Sequence, residues 1–311
     1  MIAETHRWIS AFLEAQAAEL GAARNTLLAY GRDLKDFADW LNHRKMDFAQ
    51  AQQNDVEGYL IACDAQGLSK ATRARRLSAI RQLYRFAHED GWRKDNPALR
   101  LKGPGRDMRL PGTLDQHEVQ GLLAAAKLFG RGDSDRKRNC ALLELLYATG
   151  MRVSELVELP VAAVRGAPRM ILVRGKGDKE RMVPLSPPAI DAVAEWLVLR
   201  DTADDLARLA GKPSSKYLFP GPGVAGHLTR QHFYLLIKDI AAAAGISPAK
   251  VTPHTLRHAF ATHLLAGGAD LRAIQMLLGH ADVATTEIYT HVLDEHLKAL
   301  VLDHHPLSKK P

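Results

Sequence analysis

The chain is 311 residues long, with 46% hydrophobic and 25% charged residues, a balance that excludes disorder over most of its length. That length exceeds what one hydrophobic core usually supports, so two domains are expected, and no apolar run is long enough for a transmembrane helix. Lys and Arg number 42 against 35 Asp and Glu, a net charge of +7, which admits a polyanionic partner without requiring one.

The opening MIAETHRWIS lacks the basic flank and apolar core of a secretory signal. The first hundred or so residues then read as four amphipathic helices. Trp8, Ile9, Phe12 and Leu13 share one helical face. Leu27, Tyr30, Leu34, Phe37 and Leu41 recur at three- and four-residue steps, with Asn25 or Thr26 as the expected cap. Val56, Tyr59, Leu60 and Cys63 form a third stripe, and Gly67 and Ser69 break and restart the chain. The fourth helix carries Leu77, Ile80, Leu83, Tyr84 and Ala87 on its apolar side. Arg73, Arg75, Arg76, Arg81 and Arg85 lie on or beside its polar side. Residues 70–106 hold eleven Lys or Arg against three acids, a larger surplus than that of the whole chain. Clustering of this kind marks these five arginines and Lys102 as candidate phosphate contacts on nucleic acid, although a basic helix face is often only solvated.

Residues 94–113, KDNPALRLKGPGRDMRLPGT, carry three prolines, three glycines and no helical period, and read as a basic linker. Thr113, with Gln116 three residues on, is the expected cap of the next helix. An apolar helix over Leu142–Ala148 stops at Gly150. Met170–Val173 and Arg181–Leu185 read as short strands around a glycine-rich hairpin loop. Helices follow at about Pro187–Leu199, Thr229–Ala244, Pro253–Ala266 and Leu271–Leu278, with 201–216 as a polar excursion. Cys63 and Cys140 sit in apolar helical patterns, form no CxxC pair, and suit a reducing cytosol, so a cytoplasmic location is expected.

The polar residues that these elements place are chemically coherent. Arg152 follows a helix stop, Lys176 lies in the hairpin, and His254 and Arg257 are three apart at a helix start and share a face. His280 follows Gly279, and Tyr289 comes nine residues later. Two arginines, a lysine and histidines suit a phosphate, because guanidinium forks match its oxygens and keep their charge. Such cations stabilise a phosphodiester under attack. They also make a tyrosine hydroxyl, with its ordinary pKa of about 10, a workable nucleophile. No Asp/Glu cluster fit for magnesium accompanies them. His254 and His258 are four apart on a helix, yet Thr255 stands where a metalloprotease helix carries its glutamate, so no metal site is expected. His258 and His263 read as structural neighbours of the helix.

The stretches ATGMRVSEL, GKGDKERMVPL, TPHTLRHAFATHLL, MLLGH and TTEIYTH, in this order and spacing, resemble the motifs of the tyrosine recombinase, or phage integrase, family. The resemblance spans almost the whole chain. HAFATHLL, GADLR, MLLGH and the His304-His305-Pro306 tail look most like the XerC/XerD type of bacterial chromosome-dimer resolvase, the XerD side above all.

The resemblance implies a mainly α fold. Residues 1–106 would form an N-terminal four-helix DNA clamp. Residues 107–311 would form a mostly helical catalytic domain with a small antiparallel sheet, ending in a partner-contacting tail at about 292–311. It implies that Arg152 and Arg257 clamp the scissile phosphate and that His254 assists proton transfer near the nucleophile. Lys176 would protonate the 5′-hydroxyl leaving group, His280 would bond the phosphate in the transition state, and Tyr289 would form a 3′-phosphotyrosyl link. Glu155 would be a structural support rather than an actor. No metal, ATP or other cofactor is implied, since one phosphodiester becomes another. The implied assembly is a tetramer on two DNA duplexes joined through a Holliday junction. It is expected to be a heterotetramer with a XerC-like recombinase, activated by the FtsK DNA translocase. A phage or mobile-element integrase with the same chemistry, and a non-catalytic DNA-binding regulator on the same fold, are the alternatives.

Overall fold

A computed structural model describes residues 2–18, 21–105, 113–175, 180–279, 304 and 306. The chain divides into two compact units, Met1–Arg109 and Leu110–Pro311, each built on its own apolar core.

The first unit contains α1 (Ile2–Ala18), α2 (Arg24–His43), α3 (Gln53–Ala65) and α4 (Lys70–Glu89). Burial follows the helical periodicity. Trp8 and Phe12, then Leu34, Phe37 and Leu41, then Val56, Tyr59 and Cys63, and finally Leu77, Ile80, Leu83, Tyr84 and Ala87 are all buried. Aromatic rings fill the centre, with Phe37 4.9 Å from Tyr59 between centroids. Ser69 caps α4 by accepting the Thr72 N–H. The start of α2 differs from expectation. Ala23, not Asn25 or Thr26, holds the cap position, because its carbonyl accepts the N–H groups of both Thr26 and Leu27 and closes the first turn without a side chain.

The segment read as the start of a linker is docked instead. Arg81 donates to the Ala98 and Leu101 carbonyls, the Asn96 amide donates to the Arg81 carbonyl, and Ala98 is fully buried. Residues 94–101 lack helical period but not tertiary partners, which composition does not reveal.

The second unit contains α5 (Gln116–Leu128), α6 (Asp133–Thr149), α7 (Val153–Val157), a 3-10 turn (Val161–Val164), β1 (Met170–Arg174), β2 (Glu180–Pro184), α8 (Pro187–Leu209), α9 (Arg230–Ala243), α10 (Pro253–Ala266) and α11 (Leu271–Leu278). Every residue of α6 from Asn139 to Thr149 is buried, so this helix is the axis of the unit. The two strands pair antiparallel, with Met170 opposite Pro184 and Arg174 opposite Glu180.

Several boundaries differ from the sequence reading: α6 begins at Asp133, nine residues before Leu142, and the second strand is Glu180–Pro184 rather than Arg181–Leu185. The α5 cap is Asp115, whose carboxylate accepts the Glu118 N–H at 2.8 Å while Glu118 accepts the Asp115 N–H at 2.9 Å. That reciprocal box satisfies two orphan donors and displaces Thr113 and Gln116 from the role. The polar excursion at 201–216 is helical to Leu209. Ion pairs of Asp201 with Arg165 and Arg200, and of Asp205 with Arg208, support a stretch that has no continuous apolar stripe to announce it. No described helix is long and apolar enough to cross a membrane.

Glu144 is an ionisable group inside the α6 axis. It is 3% exposed and its Oε2 has no hydrogen-bond partner, and burial pushes its pKa up to about 7 against a partial pull from Lys127. Well below pH 4.5 the carboxyl is neutral in both states. As pH rises from about 4.5 to about 7 the unfolded chain ionises first, so the fold loses stability over that window. Glu144→Gln should therefore be worth little at pH 4.5 and roughly 3 kcal/mol in its favour at pH 8. Urea unfolding at the two pH values measures this, and an equal effect at both would contradict it.

Candidate active site

The site begins where α6 ends. Gly150 turns the chain with φ +57°, the left-handed region, and a Cβ there would stand 2.3 Å from the Phe260 ring of α10. The chain then enters α7 with Arg152 at its cap position. The Arg152 N–H donates to Glu155 Oε2 at 2.7 Å, and Arg152 Nη1 donates to Glu155 Oε1 at 3.0 Å. Glu155 is buried, whereas the Arg152 side chain keeps 40% of its exposure.

Arg257 comes from the second turn of α10. Pro253 at the first helical position and the Thr252–Thr255 capping box fix where that helix starts. The buried Arg257 guanidinium donates through Nη1 to the Gly150 carbonyl and through Nη2 to the Leu278 carbonyl at 2.6 Å. Both acceptors are helix ends: Gly150 closes α6, and Leu278 is the last residue of α11. Carbonyls at helix C-termini carry partial negative charge, which suits a buried cation.

Sequence reasoning missed Arg181. It lies on β2, and its side chain is 11% exposed. Arg181 Nη1 and Nη2 donate to the two Glu155 oxygens at 3.0 and 2.7 Å, and Nε donates to the Leu277 carbonyl at 2.8 Å. The only available signal was the arginine in KERMVPL, which looks like an ordinary strand-face residue.

The electrostatics follow from this arrangement. Burial alone would raise the Glu155 pKa, but the Arg181 fork, the Arg152 N–H and the Arg152 guanidinium outweigh it and hold the carboxyl below its ordinary value. Burial, and then repulsion from Arg152 and Arg181 against the pull of Glu155, brings the Arg257 pKa down to about 10. Arg257 thus stays charged at neutral pH, in a site where three guanidiniums face one carboxylate. An anion with several oxygens fits that surplus.

His254 stands exposed on the first turn of α10, three residues before Arg257. Lys176, His280 and Tyr289 lie outside the described residues. β1 and β2 flank the segment that carries Lys176, and α11 ends at a left-handed Gly279, one residue before His280. His263 is buried, with its Nδ1 2.9 Å from the Tyr147 hydroxyl, and burial pulls its pKa down. Among the described residues no group of three or more His, Cys, Asp or Glu side chains forms a metal site. The helix expected at 292–302 lies outside the described residues. From the tail, the His304 ring bonds the Gly267 carbonyl at the end of α10.

The arginines of α4 divide into two sets. Arg73 pairs with Asp64, Arg76 with Asp36, Tyr59 and Cys63, and Arg81 with the two carbonyls named above. Arg75 pairs with the buried Asp33 and Arg85 with Glu89, yet both stay exposed, as does Lys102.

The model of the phage integrase family matches residues 112–296, and that of the phage integrase N-terminal SAM-like domain matches residues 9–91. The chain is 48% identical over 303 residues to a protein of Caulobacter vibrioides named tyrosine recombinase XerD, covering 97% of both chains. It is 48% identical over 306 residues to the protein of that name in Bradyrhizobium diazoefficiens, covering 96% of both. Among solved structures it is similar to the XerH site-specific recombinase bound to its difH substrate in a pre-cleavage complex. That match has 26% identity and a TM-score of 0.65, and covers 94% of this chain and 83% of that one.

Proposed function

The chain belongs to the phage integrase family of tyrosine recombinases, and on that premise we propose that it cuts and rejoins DNA at specific sites through Tyr289, in the manner of a XerD-type resolvase of chromosome dimers. The observation that carries the reading is the meeting of Arg152 and Arg257, from separate helices, where α6 and α11 end: Arg152 is held by the Glu155 carboxylate and Arg257 by the Gly150 and Leu278 carbonyls. That geometry supports a phosphate clamp of pre-set cations whose positive surplus is relieved when the phosphate arrives.

In this mechanism Arg152 and Arg257 bind the non-bridging oxygens of the scissile phosphate. Tyr289 attacks phosphorus, its proton passes toward His254, and Lys176 protonates the departing 5′-oxygen. His280 donates to the phosphate as charge develops. The product is a 3′-phosphotyrosyl bond and a free 5′-hydroxyl. Attack by the 5′-hydroxyl of a second duplex reverses the step, so the bond energy is conserved and no ATP or metal enters. Residues 1–106 serve as the DNA clamp and 107–311 as the catalytic domain. Arg75, Arg85 and Lys102, which remain exposed, are the strongest phosphate contacts of the basic stretch, while Arg73, Arg76 and Arg81 chiefly hold the first unit together. Two such chains and two of a XerC-like partner form the working tetramer on two duplexes. The segment 292–311 contacts a neighbouring subunit, and an FtsK-type DNA translocase triggers cleavage.

The test is covalent trapping on a nicked duplex, from which the free end diffuses away after cleavage. The full chain should form a denaturant-resistant protein–DNA adduct in the presence of EDTA, and Tyr289→Phe should form none. An adduct that disappears with EDTA would point to metal chemistry. DNA binding without cleavage, with the partner subunit present, would favour the regulator.

A further inference from the structure

We propose that Arg181 is a positioning residue for strand cleavage, because it locks the two phosphate-clamping arginines through Glu155 and the last turn of α11. The inference rests on the recombinase reading and adds a residue to it. Arg181 makes three hydrogen bonds from one planar group: two to the Glu155 carboxylate and one, at 2.8 Å, to the Leu277 carbonyl. The same Glu155 oxygens hold the backbone and the guanidinium of Arg152. The carbonyl next to Leu277, that of Leu278, holds Arg257. Arg181 therefore touches the carboxylate that supports Arg152 and the residue next to the carbonyl that supports Arg257, and needs to touch no phosphate itself.

Its surroundings are built for this task. The side chain is 11% exposed, and Glu155 is 3% exposed, so the pair is shielded from competing water. Gly279 leaves room for it: a Cβ at that position would come within 3.3 Å of Arg181 Cδ and Nη1. Arg181 sits opposite Val173 in the strand pair, which ties the hairpin flanking Lys176 to the same lock. Charge alone does not explain the arrangement. Removing Arg181 would relieve repulsion on Arg257, yet it would leave Glu155 free to draw Arg152 inward and away from a phosphate. A lysine keeps the charge but offers one nitrogen, which cannot span two carboxylate oxygens and a carbonyl.

The full-length chain is assayed on a nicked duplex selected from a randomised pool by binding to the same protein, under single-turnover conditions with DNA affinity measured alongside. Arg181→Gln should slow adduct formation by about 100-fold while the Kd for the duplex shifts by less than about threefold. Arg181→Lys should recover no more than about a tenth of the wild-type rate. A second duplex carries a methyl group in place of one non-bridging oxygen of the scissile phosphate, which makes that phosphate neutral. On it the gap between wild type and Arg181→Gln should narrow to about tenfold or less, since a neutral phosphate asks less of the guanidinium pair. A purely structural role would leave the gap unchanged. A wild-type rate for Arg181→Gln, full recovery by Arg181→Lys, or an unchanged gap overturns the proposal. An adduct that survives Tyr289→Phe overturns instead the tyrosine reading on which it rests, so the two failures are distinguishable.

Discussion

Arg257→Gln should abolish nearly all strand cleavage while costing the fold little. Loss of one pre-set donor to a developing oxyanion typically costs about 10²–10³ in rate, and a fully charged donor at the phosphate places Arg257 at or beyond the upper end. Stability is a contest of two effects. The glutamine would leave the Gly150 and Leu278 carbonyls short of a partner, at about 1–3 kcal/mol for each unsatisfied group. Against this, the depressed Arg257 pKa shows that the fold already carries a penalty for a buried cation beside Arg152 and Arg181, and the substitution removes it. The two nearly cancel, so the expected shift is within about 2 kcal/mol. Single-turnover cleavage and urea unfolding measure the two quantities on the same preparation. A rate loss no larger than the loss of folded protein would contradict the role of Arg257 as a clamp.

Gly150→Ala is expected to do the opposite and damage the fold first. The substitution puts a side chain at φ +57° and drives its Cβ to within 2.3 Å of the Phe260 ring, which lies in a fully packed core. The left-handed backbone contributes about 1 kcal/mol and the overpacking about 1–3 kcal/mol more, so a loss of about 3 kcal/mol is expected. Gly245→Ala provides the control: its φ is +72°, but nothing lies within 4 Å of the added Cβ, so about 1 kcal/mol is expected there. The Gly150 carbonyl also holds Arg257, so the folded fraction of Gly150→Ala should cleave more slowly per molecule than wild type. Equal stability losses for the two alanines would contradict the close packing at the α6 terminus.

The sequence was most readable where chemistry and periodicity coincided. The bounds of α10 and α11 follow from Thr252-Pro253 and Asp270 at their starts and from glycines at their ends, which are strong local signals. The hairpin strands and the Gly150 stop were equally local. The α5 cap was a local signal left unread: Glu118 stands three residues after Asp115, the spacing of a capping box. The rest of what escaped depends on tertiary partners. The second half of α8 is held by ion pairs rather than an apolar stripe. Arg73, Arg76 and Arg81 cannot be distinguished from solvated arginines until Asp64, Asp36 and the Ala98 carbonyl are placed beside them. Arg181 escaped for the same reason. Its significance lies in contacts to Glu155 and Leu277, residues 26 and 96 positions away in the chain.

The central claim is that Tyr289 is the nucleophile, and the most direct measurement is to find where the DNA is attached. The full chain is incubated with the nicked duplex and the adduct is digested with protease and nuclease. Tandem mass spectrometry then locates the remaining nucleotide. The predicted result is a single 3′-linked nucleotide on Tyr289. Attachment at another side chain, or cleaved DNA with no covalently modified peptide, would contradict it.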